Sequence, residues 1–196
     1  MLNDINIYLQ KVKQNGMALQ HINDQTDEIC LEAVKQNGEA LQYVINQTEE
    51  ICLQAVKQNG FALKYVENHT NDIYLQAVKQ SGYALDFVNN QTDEICLKAV
   101  KQSGRALKYV KKQTDEICLA AVKQNGYALE YVNIQTMELC ILSIMNDRYK
   151  IFFENFSLND KRRLCAIKNK NMREECEKYL GDNIRFMNIK SAKNII

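Results

Sequence analysis

The chain has 196 residues, 46% of them hydrophobic and 25% charged, with no proline and no tryptophan. That balance excludes a disordered or collagen-like polymer, and a net charge of +1 argues against a general nucleic-acid binder. The charge is uneven all the same. Residues 1–156 carry 15 Lys/Arg against 19 Asp/Glu, and residues 157–196 carry 10 against 5, so a mildly acidic body precedes a basic tail.

A single unit recurs along the body without insertion or deletion. Glycine falls at Gly16, Gly38, Gly60, Gly82, Gly104 and Gly126, always 22 residues apart, and threonine keeps the same step from Thr26 to Thr136. A fixed period of this size predicts a solenoid whose units bury their apolar faces against one another. The first unit is worn. Asp4 takes the threonine position, where it can cap a helix. Lys11 stands where later units have Ala33, Ala55, Ala77, Ala99 and Ala121, as suits an end unit with one face in water. The opening residues hold neither a basic leader region nor a continuous apolar run, and no stretch nears the ~18 apolar residues of a membrane span. The expectation is an intracellular, cytoplasmic protein without a membrane partner.

A standard unit reads as helix–turn–helix. Thr26 is an N-cap, and Asp27 and Glu28 put negative charge in the first turn, where the helix dipole favours it. Ile29, Cys30, Leu31, Ala33 and Val34 form one apolar face, and Lys35 places positive charge near the C-terminus. Gly38 is read as a left-handed C′ residue ending a helix over 27–37. Ala40, Leu41 and Val44 then form the stripe of a shorter second helix over 39–45. A strand at Tyr43–Val44, as in leucine-rich repeats, is the rival reading. The leucine-rich frame is absent and Ala40–Leu41 breaks strict alternation, so the all-α reading is preferred.

The array decays after Thr136. In frame, Ser143 replaces the alanine, Ile144 the valine and Arg148 the glycine, and Phe152 and Phe153 fall on the second helix. Residues 1–156 are therefore read as six units plus a degenerate seventh. Residues 157–196 are read as a basic helical cap, with helices over Leu158–Lys168 and Arg173–Leu180. The fold class is an α-solenoid of tandem 22-residue helix–turn–helix repeats with a helical C-terminal cap.

Catalytic and metal chemistry find no support in the sequence. Cys30, Cys52, Cys96, Cys118 and Cys140 share one position of the unit, and Tyr8 and Tyr74 replace cysteine there. A metal site would not tolerate that exchange, and stacked helices ~8–10 Å apart hold equivalent cysteines beyond the reach of a disulfide. They read as small buried fillers. The two histidines, His21 and His69, occupy different positions of the unit, and neither has a nucleophile arrangement beside it. The expectation is no enzyme, no cofactor, no metal and no small-molecule substrate.

The unit Thr-Asp-Glu-Ile-Cys-Leu-x-Ala-Val-Lys-Gln-Asn-Gly-x-Ala-Leu-x-Tyr-Val resembles the repeat of the domain-of-unknown-function 4116 family, which is abundant in giant viruses of amoebae and occurs in some bacteria. The resemblance covers residues 4–156. Its Ala-Val-Lys-Gln-Asn-Gly-x-Ala-Leu core stands almost unchanged in four units, while Ser81 and Ser103 replace the asparagine in two others. The resemblance implies a tandem helical array and a viral protein acting in its host cell, and it implies no chemistry.

Function is therefore sought in the positions that change between units. The residue after each glycine reads Met17, Glu39, Phe61, Tyr83, Arg105 and Tyr127. A second row reads Gln20, Gln42, Lys64, Asp86, Lys108 and Glu130, and a third Glu32, Gln54, Gln76, Lys98 and Ala120. Such variation predicts exposure or simple drift. Phe61, Tyr83, Arg105 and Tyr127, with Lys64, Asp86, Lys108 and Glu130, are the candidate surface for a protein partner. The alternative is a nucleic-acid-associated protein using Lys98, Lys101, Arg105, Lys108, Lys111 and Lys112 together with the basic tail.

Overall fold

In the computed structural model, residues 2–145, 167–171, 173–175 and 178 are described. Seven α-helices, α1 (Leu2–Gln14), α2 (Asp27–Gln36), α3 (Glu49–Gln58), α4 (Asn71–Gln80), α5 (Asp93–Gln102), α6 (Asp115–Gln124) and α7 (Met137–Met145), alternate with six 3₁₀ helices. These are η1 (Gly16–His21), η2 (Gly38–Tyr43), η3 (Gly60–Tyr65), η4 (Gly82–Phe87), η5 (Gly104–Tyr109) and η6 (Gly126–Tyr131). Each α-helix packs on the next α-helix and each 3₁₀ helix on the next 3₁₀ helix. The result is a two-layered α-solenoid, and no strand occurs among the described residues.

The α-helices start and end for local reasons. Thr26 Oγ1 accepts from the Ile29 amide at 3.3 Å, and Thr48, Thr70, Thr92, Thr114 and Thr136 repeat that cap, a bond that stabilises each helix by about 1 kcal/mol. In α1 the helix already runs from Leu2, so Asp4 lies inside the first turn and is not the cap the frame suggests. Its charge still favours the helix N-terminus.

The second helix of each unit differs from expectation. It is a 3₁₀ helix one residue earlier at its start and ends at Tyr43 rather than 45. Ala40 N–H donates to Asn37 O and Val44 N–H to Leu41 O, each spanning three residues. Three residues per turn set Leu41 and Val44 one above the other, and both are buried.

The glycine also serves another purpose than the one read from its position. Asn37 is extended (φ −147°, ψ 110°) and caps η2 by accepting from the Glu39 amide. Gly38 then opens η2 with no positive φ. Close approach is what excludes a side chain. A Cβ on Gly38 would stand 2.5 Å from Ala55 O and 2.9 Å from Gln58 Oε1 of the next unit.

The core lies between the layers. Ile29, Ala33 and Val34 of α2 and Ala40 and Leu41 of η2 are fully buried, and every complete unit repeats the set. Ala77, at the small packing position that Lys11 occupies in the first unit, is 0% exposed. Burying each Ile or Leu contributes roughly 1.5–3 kcal/mol. Neither helix of a unit is long enough to stand alone in water, so stability comes from the stack.

At the C-terminal end, Ile167 is fully buried against the array and Lys168 N–H donates to Gln135 Oε1 at 3.0 Å. Residues 167–169 are not helical, contrary to the helix read over Leu158–Lys168, and helix resumes at Lys170 rather than Arg173. The readings at Arg148, Phe152, Phe153 and Ser157, and most of the Leu158–Lys168 helix, lie outside the described residues.

Candidate interaction surface

Two glutamine ladders join successive units. The first runs along the glycine edge. Gln36, Gln58, Gln80, Gln102 and Gln124, each the last residue of an α-helix, accept through Oε1 from the amides of Gly16, Gly38, Gly60, Gly82 and Gly104 of the preceding unit. From Gln80 onward, Nε2 also donates to the carbonyl of the preceding ladder glutamine.

The second ladder runs along the extended linkers that precede each threonine. Gln25 Nε2 donates to Tyr43 O at 2.8 Å, and its Oε1 accepts from Ile45 N–H at 3.0 Å. The Cys30 thiol donates to the same Oε1 at 3.5 Å. Gln47 with Cys52, Gln91 with Cys96 and Gln113 with Cys118 repeat the clamp. The shared cysteine therefore supports the clamp as well as filling space. Burial, with the nearby Asp27 charge second, pushes the Cys30 thiol up to about 11, and burial raises Cys52 to about 11 as well. Both are poor nucleophiles. Among the described residues no cluster of three or more His, Cys, Asp or Glu stands close enough to hold a metal ion.

The pattern changes at the entry to the fourth unit, at two positions at once. His69 replaces the clamp glutamine and Tyr74 replaces its cysteine, and the two rings stack at 5.1 Å with 17° between planes. The sequence carried a signal for this pairing: Tyr8 and Tyr74, the two tyrosines at the cysteine position, each follow a unit boundary that lacks glutamine, at Asn3 and His69.

The candidate residues gather on the 3₁₀ side, but they engage one another across units. The Phe61 ring meets Phe87 edge-on at 6.2 Å, and Tyr83 meets Tyr109 at 6.3 Å. Arg105 Nη2 donates to Tyr131 Oη at 3.0 Å and to Glu130 Oε1 at 3.1 Å, with its guanidinium 5.8 Å from the Tyr131 ring centre. Lys64 reaches Glu39 at 3.9 Å and lies over Tyr65. Lys108 Nζ lies 4.4 Å from the Tyr109 ring centre and 5.8 Å from that of Tyr83. The Tyr109 hydroxyl holds the Lys108 pKa above its ordinary value, and the Tyr131 hydroxyl does the same for Arg105.

Exposure corrects the first row. Phe61 and Arg105 are exposed, but Tyr83 and Tyr127 are half-buried, Tyr83 leaning on Tyr109 of the following unit. Lys64, Asp86, Lys108 and Glu130 are all exposed. Part of the variation is thus pairwise complementarity between neighbours, Glu39 with Lys64, Tyr83 with Lys108 and Arg105 with Glu130. Pairs of this kind distinguish one junction from the next.

The third variable row lies on the α side. There a groove is lined by Leu53, Leu75, Gln76 and Leu97 together with the charged Asp72, Glu94, Lys79, Lys98 and Lys101. Five of the six cations of the fifth unit are consequently divided between separate surfaces. Lys98 and Lys101 face this mixed groove, Arg105 and Lys108 lie on the 3₁₀ side, and Lys111 Nζ donates to the backbone oxygens of Val88 and Asn89.

Stacked units, paired edges and a ribbon of ordered side chains define a helical tandem-repeat array. The chain belongs to the family described as Domain of unknown function (DUF4116). Five overlapping matches, at residues 4–48, 27–71, 48–92, 71–113 and 92–135, together span about two thirds of the sequence. No curated protein and no solved structure matches the chain. Among the described residues no helix is long and apolar enough to cross a membrane.

Proposed function

We propose that the chain is a non-enzymatic scaffold that binds another protein through its 3₁₀ side, and that its setting is the interior of a host cell, as the family's occurrence in giant viruses implies. The observation that carries this reading is the ordered ribbon of aromatic and cationic side chains from Phe61 to Tyr131. Phe61 is 39% exposed and already seated on Phe87, and Lys108 is already seated over two rings. Side chains held in place before contact lose less conformational freedom when a partner arrives, and aromatic and arginine residues are the usual anchors of such contacts.

The test compares two variants of the full chain, each checked for unchanged helicity. One carries Phe61→Ser, Tyr83→Ser and Lys108→Glu on the 3₁₀ side. The other carries Lys79→Glu and Lys101→Glu on the α side. Quantitative affinity purification from the cells that make the protein should show partners lost by the first variant and kept by the second. Partners kept by the first variant would sink the reading.

A further inference from the structure

The linker ladder is broken once, and we propose that the break is a hinge dividing the array into two rigid blocks. The linkers at 22–25, 44–47 and 66–69 are tied in succession by Gln25 and Gln47. The linkers at 88–91, 110–113 and 132–135 are tied in succession by Gln91 and Gln113, and the second run continues through Gln135 to Lys168. Between 66–69 and 88–91 the clamp position is His69. Its ring stacks on Tyr74, and among the described residues no hydrogen bond joins these two linkers.

The surrounding contacts reinforce the division. Lys111 Nζ reaches back to Val88 O and Asn89 O, which ties linker 88–91 a second time to the C-terminal block. Thr70 Oγ1 donates to Glu49 Oε1 at 3.0 Å, which ties the start of the fourth unit to the N-terminal block. The glycine edge stays continuous through the break. Gly60 N–H donates to Gln80 Oε1 and Gly82 N–H to Gln102 Oε1, each at 2.7 Å.

One edge is therefore hydrogen-bonded while the opposite edge, though packed, lacks its clamp, which is the geometry of a hinge whose axis follows the glycine edge. Packed elements joined along one line and free along another rotate about that line at low cost. Phe61 meets Phe87 across the same junction, so rotation changes how much of Phe61 the 3₁₀ side presents.

Opening of the linker edge uncovers Val88, which is 1% exposed in the closed array. It leaves the Val88 amide without the support of the neighbouring linker, so amide exchange reads the motion at positions bonded alike in successive units. Val44, Val66, Val88, Val110 and Val132 each donate to the leucine carbonyl three residues earlier at 3.1–3.2 Å. The hinge makes Val88 exchange faster than Val66, Val110 and Val132 by about tenfold or more, after correction for intrinsic rates. The double variant His69→Gln/Tyr74→Cys restores the clamp and brings Val88 to within about threefold of Val110. Equal protection of the four valines in the unaltered chain would overturn the hinge. So would a fast Val88 that the restored clamp leaves unchanged.

Discussion

Replacing Gly60 by alanine tests the reading of the repeat glycine most directly. The added Cβ would sit 2.6 Å from Ala77 O and 2.8 Å from Gln80 Oε1. Ordinary contact begins at 3.4 Å, so the next unit must retreat by roughly 0.8 Å at a backbone atom that has nowhere to rotate. Overpacking of that size costs about 1–3 kcal/mol. The retreat also stretches the 2.7 Å bond from Gly60 N–H to Gln80, a loss of about 0.5–1.5 kcal/mol. Gly60→Ala should therefore destabilise the array by about 2–4 kcal/mol, seen as a lower urea midpoint followed by circular dichroism. Gly60→Asn separates this account from a left-handed C′ residue. Asparagine tolerates positive φ, so a conformational requirement would make it milder than alanine. Close approach makes it worse. An asparagine variant more stable than the alanine variant would refute the steric argument.

Three further outcomes follow from the same contacts. Gln113→Leu removes the acceptor of Asn133 N–H and Cys118 S–H and the donor to Tyr131 O, and denaturation should show a loss of about 1–3 kcal/mol. Thr92→Ala should cost about 1 kcal/mol through the lost bond to Ile95 N–H, with Thr92→Ser close to neutral. Cys30 and Cys52 shift from an ordinary value of 9.0 to about 11 because the folded state disfavours their thiolates. Their contribution to stability is complete below about pH 9 and is lost as pH rises towards 11. Thiol alkylation of the native chain at pH 8 should accordingly be slow at these two residues and fast once the chain is unfolded. Rapid native-state labelling would contradict their burial.

Much of the architecture was legible in one chain because the repeat reports its own constraints. The step of 22 residues, the threonine caps, the acid-first and lysine-last order, and the buried Ile, Ala, Val and Leu positions follow from periodicity and helix chemistry, and all recur in the fold. The clamp glutamines are not legible in the sequence, because they look like linker residues when taken alone. Their partners lie 18–20 residues away, and only stacking brings a Gln47 side chain to the Tyr65 carbonyl and the Glu67 amide.

The same division of labour governs the glycine and the variable rows. The repeat alone requires a small residue at Gly38 and leaves Phe61, Tyr83, Arg105 and Tyr127 free to differ. The reasons lie in the stacking of units. Local conformation is encoded by neighbours a few residues apart, but the space beside Gly38 is filled by Ala55 and Gln58 of the next unit. Likewise Arg105 finds Glu130 and Tyr131 one repeat further on. Which side chains stay exposed on the array, and where its linker ladder is interrupted, are properties of those contacts between units and not of any unit alone.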